Sequence, residues 1–255
     1  MARCFAALSM TGLWGRSRNY ETRCSLMSTS VILPADRTHD HSDERILRYS
    51  FGERIMHWVA GLSYIYLLAT GLAFWSPYLF WIADLVGGGP VARFWHPWMG
   101  LLWFVAVFWM YAAWHNDMRA TPADREWAKH LGDYIRNQDE NLPPIGRFNI
   151  GQKEFFWVMF WGGVALLLSG VAMWFVNDIP WAWRWVRYTA VLVHVVAALF
   201  TIGAFIIHVY MGTAMVRGGF SSVIRGEVSA SWARMHHRLW YEQVRAAQAE
   251  KREDV

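Results

Sequence analysis

Tyr188–Val216 reads YTAVLVHVVAALFTIGAFIIHVYMGTAMV, a run without one full charge whose two polar interruptions of note are His194 and His208. A helix rises about 1.5 Å per residue and the hydrocarbon core of a bilayer is about 30 Å thick, so the run can cross it. Three further blocks, Ile55–Trp75, Pro97–Trp114 and Phe155–Val176, are equally free of charge. A segment in lipid must satisfy its own backbone hydrogen bonds, which leaves the helix as the economical form. The fold expected is therefore an all-α integral membrane protein, a four-helix bundle with spans near 55–75, 97–115, 154–176 and 187–214. Composition agrees, with 55% hydrophobic residues, 17% charged residues and a mean hydropathy of +0.14.

Charge sets the orientation. The segment to Arg54 holds 8 Lys and Arg, Asn116–Lys153 holds 6, and the stretch from Arg217 holds 7. Against these stand Arg93 in one of the other two connections and Arg184 and Arg187 in the second. Both termini and the 116–152 loop are thus expected in the cytoplasm. The charge-poor connections are instead rich in tryptophan (Trp75, Trp81, Trp95, Trp98, Trp181, Trp183, Trp185), as an interfacial aromatic belt requires. A pI near 9.2 would suit nucleic acid, but basic residues that hug helix ends serve membrane topology, and no nucleic-acid partner is expected.

Residues 1–44 form an N-terminal segment of low information. Phe5–Leu13, after Arg3, faintly resembles a signal peptide, but export would reverse the first helix against the charge bias. A disordered cytoplasmic tail, or a true start at Met27, is the expectation. Residues 45–216 make the membrane domain and 217–255 a cytoplasmic C-terminal tail. The two cysteines, Cys4 and Cys24, form no Cys-x-x-Cys, so neither a zinc site, an iron–sulfur site nor a covalently attached haem is encoded.

Of ten histidines, His39, His41, His130, His236 and His237 fall in polar segments and read as solvated, and His115 reads as interfacial. Four lie within or at the edge of the spans, where an ionisable group is costly unless partnered. His57 is near the inner end of the first helix and His96 near the outer end of the second. His194 and His208 share the fourth, fourteen residues apart. At about 100° per residue that is within roughly 40° of four full turns, and about 21 Å along the axis. Both rings then face the bundle, His194 at the depth of His96 and His208 at the depth of His57. Two imidazoles from facing helices form the usual clamp for a low-spin haem. The residue four places after each histidine is small (Gly61, Gly100, Ala198, Gly212), leaving room for a flat ring. A haem-free channel, transporter or anchor, with histidines used for protons or packing, is the competing reading.

Two haems b at different depths would join a donor on one face to an acceptor on the other, and a bilayer-soluble quinone, menaquinone or ubiquinone, is the natural acceptor. Asn149, Gly151 and Gln152, in the stretch GRFNIGQK before the third span, suit a quinone carbonyl, though the same spacing suits a helix cap. Arg93 and Arg187 outside, and Arg54 and Arg217 inside, could neutralise propionates but read first as interfacial anchors.

The stretches RYSFGERIMHW, LATGLAFW through GGG, ARFWHPWMG, GRFNIGQKEFFW, LLLSGVAMW, VRYTAVLVHVVAA, IIHVYMGTAMVRGGF and GEVSASWARMHHRLWYE, from about Arg45 to Glu242, resemble the gamma (cytochrome b) subunits of membrane-bound formate dehydrogenases. The resemblance implies two haems b, held by His57 with His208 and by His96 with His194. It also implies a quinone site at Asn149, Gly151, Gln152 and His208 in the bacterial inner membrane. It further implies an iron–sulfur beta subunit and a molybdenum- or tungsten-pterin alpha subunit on the outer face, with formate oxidised on the latter. A cytochrome b subunit of a nickel–iron hydrogenase or thiosulfate reductase is the nearest alternative.

Overall fold

The computed structural model describes residues 44–136 and 138–253; the expectations for the N-terminal segment, with Cys4, Cys24, His39 and His41, fall outside them. Four long helices dominate: α1 (Phe51–Trp75), α2 (Gly89–Trp114), α5 (Ile150–Trp174) and α6 (Arg184–Tyr210). All four are long and apolar enough to cross a membrane. Between α2 and α5 lie the short helices α3 (Pro122–Ala128) and α4 (Leu131–Ile135). After α6 come a π-helical turn at Met211–Met215, α7 (Ser221–Ile224), α8 (Ala230–His236) and α9 (Arg238–Glu253). Strands β1 (Arg45–Leu47) and β2 (Glu227–Ser229) pair antiparallel, with Ile46 opposite Val228.

Helices α1 and α5 begin before their apolar blocks do, because capping rather than hydropathy starts them. At α1 the Ser50 hydroxyl accepts from the Glu53 amide while the Glu53 carboxylate accepts from the Ser50 amide. At α5 Asn149 and Gln152 exchange the same reciprocal bonds. Each box satisfies amides that the first turn leaves without partners. Helix α1 stops at Ser76, before Pro77, which opens a 3-10 segment to Val86.

Helix α1 packs on α2, α2 on α5, and α5 on α6. Tyr64, Trp103, Ala106, Val107, Met159 and Phe160 fill the middle of the bundle. Gly162 lets α5 and α6 close, since a Cβ there would meet the Thr201 methyl at 2.5 Å. Neither α1 nor α2 makes a comparable approach to α6. Helix α6 is accordingly the least enclosed span, with only Ala190 and Thr201 buried. The outward surface is apolar, and Trp75, Trp81, Trp95, Trp98, Trp181, Trp183 and Trp185 are all exposed, as residues of an aromatic belt should be.

At the opposite end the segments around the bundle fold together rather than trailing. Ile46, Val228, Ala230, Ala233 and Trp240 form a separate small core. The Arg54 guanidinium donates to the Ile224 carbonyl at 2.7 Å, fastening α7 to α1. Buried Lys153, at the start of α5, holds the α2–α5 connection by donating to Asp124 of α3 at 2.7 Å and to the Arg119 carbonyl at 3.0 Å.

Candidate functional site

The four intramembrane histidines come together as two pairs. His57 of α1 faces His208 of α6 with ring centroids 6.2 Å apart, and His96 of α2 faces His194 of α6 with centroids 6.4 Å apart. Both pairs bridge the faces where α6 stands off from α1 and α2. An imidazole nitrogen binds a transition metal at about 2 Å, so two rings sharing one iron in a straight line have centroids roughly 6 Å apart. The separations therefore match a shared iron at each level.

The surroundings fit a flat ligand. A Cβ built at Gly61 or at Gly212 meets nothing within 4 Å, and one at Gly100 meets only Leu67, at 4.0 Å. Small residues four places after His57, His96 and His208 thus border open space. A cavity lined by Ala73, Phe74, Pro77, Phe80 and Arg93 opens beside the outer pair, and Phe74 packs edge-on against His96. His57 Nδ1 is buried without a hydrogen-bond partner. Ligand nitrogens, room for a ring and a cation at the rim are what a non-covalent haem requires.

Three of the four paired rings are held by a residue that hydropathy alone does not single out. His96 Nδ1 lies 2.7 Å from the Thr70 hydroxyl, and His194 Nδ1 lies 3.0 Å from the Ser169 hydroxyl. His208 stacks flat on Phe155, with centroids 4.1 Å apart and planes 5° from parallel. The usable signal was a Ser/Thr–Gly dipeptide inside each of two spans, in LATGLAFW and LLLSGVAMW.

The GRFNIGQK stretch is the α5 capping box. Asn149 Oδ1 accepts from the Gln152 amide at 2.9 Å, and Gln152 Oε1 accepts from the Asn149 amide at 3.0 Å. The side-chain oxygens are committed to the helix, so what the pair can offer a carbonyl is its NH2 groups. Gly151 is exposed between them. Phe155, one turn on, carries the stack on His208, so the cap and the inner pair belong to the same end of the bundle.

The other histidines separate clearly. His115 caps α2, with Nδ1 3.1 Å from the Tyr111 carbonyl, and His130 pairs with Asp133 at 3.1 Å. His237 corrects the expectation of a solvated surface residue. It is 2% exposed, its Nδ1 donates to the Gly146 carbonyl at 2.8 Å, and Arg48 Nη2 lies 3.2 Å from its Nε2. A polar neighbourhood in sequence did not reveal that the folded C-terminal segment covers it. Among the interfacial arginines, Arg187 donates to the Ile179 carbonyl and Arg54 to that of Ile224, so both tie backbone.

The sequence model of the family described as prokaryotic cytochrome b561 matches residues 48–226. The Escherichia coli (strain K12) formate dehydrogenase cytochrome b556(fdo) subunit is 32% identical over 211 residues, covering 82% of this chain and 98% of that one. The nitrate-inducible cytochrome b556(Fdn) subunit of the same organism is 30% identical over 209 residues, covering 81% and 94%. The formate dehydrogenase cytochrome b556 subunit of Haemophilus influenzae is 29% identical over 205 residues, covering 78% and 84%.

Proposed function

Because the chain belongs to the prokaryotic cytochrome b561 family, together with formate dehydrogenase cytochrome b556 subunits, we propose that it is the membrane cytochrome b subunit of a formate:quinone oxidoreductase. It is an integral membrane protein; on this reading it sits in the bacterial inner membrane with both termini in the cytoplasm. It carries two haems b, the outer held by His96 and His194, the inner by His57 and His208. Bound there, the haems supply one-electron carriers at two depths. Formate is oxidised on a pterin-bearing alpha subunit, and an iron–sulfur beta subunit on the outer face passes electrons to this chain. Quinone takes them at the inner end, beside His208, with the amides of Asn149 and Gln152 and the backbone at Gly151 receiving its carbonyls.

The observation that carries this reading is the pairing itself. Four histidines from three helices converge as two facing couples, 6.2 and 6.4 Å between ring centroids, across the loosely packed side of the bundle. Packing or isolated proton transfer explains one such contact but not two at equivalent spacing. The test is a reduced-minus-oxidised spectrum with haem extraction from the purified complex, and two non-covalent b-type haems per chain are expected. Absence of a b-type alpha band would overturn the haem reading. Co-purification of a hydrogenase large subunit in place of a formate dehydrogenase subunit would reassign the donor and leave the haems intact.

A further inference from the structure

The two histidine pairs are supported differently. Thr70 Oγ1 lies 2.8 Å from the Tyr66 carbonyl and 3.2 Å from that of Leu67, so its one proton is directed at acceptors that cannot donate. The oxygen is then left to accept from His96 Nδ1, 2.7 Å away. Ser169 repeats the arrangement, 2.6 Å from the Ala165 carbonyl, 3.3 Å from that of Leu166 and 3.0 Å from His194 Nδ1. Both hydroxyl residues are buried. Each imidazole thereby carries its proton on Nδ1 and presents the lone pair of Nε2. The residue after each hydroxyl is a glycine against the same ring. A Cβ at Gly71 would stand 3.8 Å from His96 Cε1, and one at Gly170 would press on His194 Cε1 at 3.3 Å. The hydroxyl residue and its histidine are 26 residues apart in one hairpin and 25 in the other. At the inner level, by contrast, His57 Nδ1 has no partner and His208 is oriented by the Phe155 ring.

From this asymmetry we infer that Thr70–Gly71 and Ser169–Gly170 are paired positioning devices that fix the tautomer and ring orientation of the outer ligands alone. The inference rests on the two-haem reading above. A hydrogen bond accepted from Nδ1–H makes an imidazole a stronger donor to a metal and fixes its rotation. It therefore favours the ferric form, and the axial ligands' hydrogen bonds become a lever on the outer potential that the inner site does not share.

The test uses the intact complex and two readouts, the midpoint potentials of the two haems by redox titration and their low-spin EPR signals. Thr70→Val and Ser169→Ala are expected to raise the outer potential and shift its EPR signal, or to cost the outer haem, while the inner haem keeps its position. Thr70→Ser and Ser169→Thr, which retain a hydroxyl, are expected to stay near the parent protein. Unchanged outer-haem signals in Thr70→Val and Ser169→Ala would overturn the inference, as would equal damage from the hydroxyl-retaining swaps or an equal shift of the inner haem. A parent complex without b-type haem would instead overturn the reading on which the inference rests.

Discussion

His237 Nδ1 donates to the carbonyl oxygen of Gly146 at 2.8 Å, joining the C-terminal segment to the residue three places before the α5 N-cap. Arg48 approaches the same ring at 3.2 Å and also donates to the Arg147 carbonyl at 2.8 Å. One buried imidazole thus ties together the entry to α1, the cap of α5 and the start of α9. Removing it leaves the Gly146 carbonyl and the Arg48 guanidinium short of partners, at a cost on the order of 1–3 kcal/mol per buried group. His237→Ala is expected to loosen α8 and α9, read as faster protease cleavage there with the bundle intact.

The same contact is pH-sensitive. Burial, with the Arg48 charge beside it, pushes the His237 pKa well below its ordinary 6.5, against a smaller raising effect from the Gly146 bond. A released tail binds a proton below about pH 6.5 that the docked tail refuses, so docking is full above that pH and weakens as pH falls. The slope is at most about 1.4 kcal/mol per pH unit. Cleavage within α8–α9 should accelerate between pH 7.5 and 5.5 in the parent protein. An identical rate at both pH values would sink this prediction.

The ligand pairs predict a two-by-two pattern. His96→Ala or His194→Ala is expected to lose one haem and keep the other, and His57→Ala or His208→Ala to lose the complementary one. Haem stoichiometry and the surviving midpoint potential report which. If every variant retained both haems, the pairing would be wrong.

Lys153 and Asp124 are both buried, and the pair is closed by two bonds from Thr121 to the same carboxylate oxygen. Burial pushes the Asp124 pKa up, but the hydrogen bonds from Lys153 and Thr121 outweigh it and hold the carboxyl below its usual range. Lys153→Met strands a buried carboxylate and is expected to cost about 3–5 kcal/mol. The double variant Asp124→Leu, Lys153→Met should recover much of that. Thermal unfolding in detergent distinguishes the three proteins, and a double variant no better than the single one would contradict the account.

At the α5 cap, Gln152 serves the helix and, on the proposed function, the quinone. Gln152→Glu keeps the acceptor oxygen that caps Asn149 and removes the NH2 donor. It is expected to leave stability within about 0.5 kcal/mol and to raise the KM for quinone, whereas Asn149→Ala should also lose about 1 kcal/mol of helix stability. A KM unmoved by Gln152→Glu would remove this side chain from the quinone site.

Chain chemistry alone determined the membrane class, the number of spans, their charge bias and the two depths of the histidines. Those properties follow from local quantities: hydropathy over a bilayer's thickness, the count of Lys and Arg, and helical phase within one helix. Capping chemistry was legible at Asn149 and Gln152 only as one of two readings, because the same amides suit a helix end and a carbonyl ligand. Tertiary structure alone decided how closely the paired rings approach, that α6 stands away from α1 and α2, and that Thr70, Ser169 and Phe155 hold three of the four imidazoles. It also decided that His237 is buried, although its neighbours in sequence are polar. Such facts depend on side chains brought together from distant residues, 91 apart for Gly146 and His237, and no periodicity in a single segment encodes a contact between two.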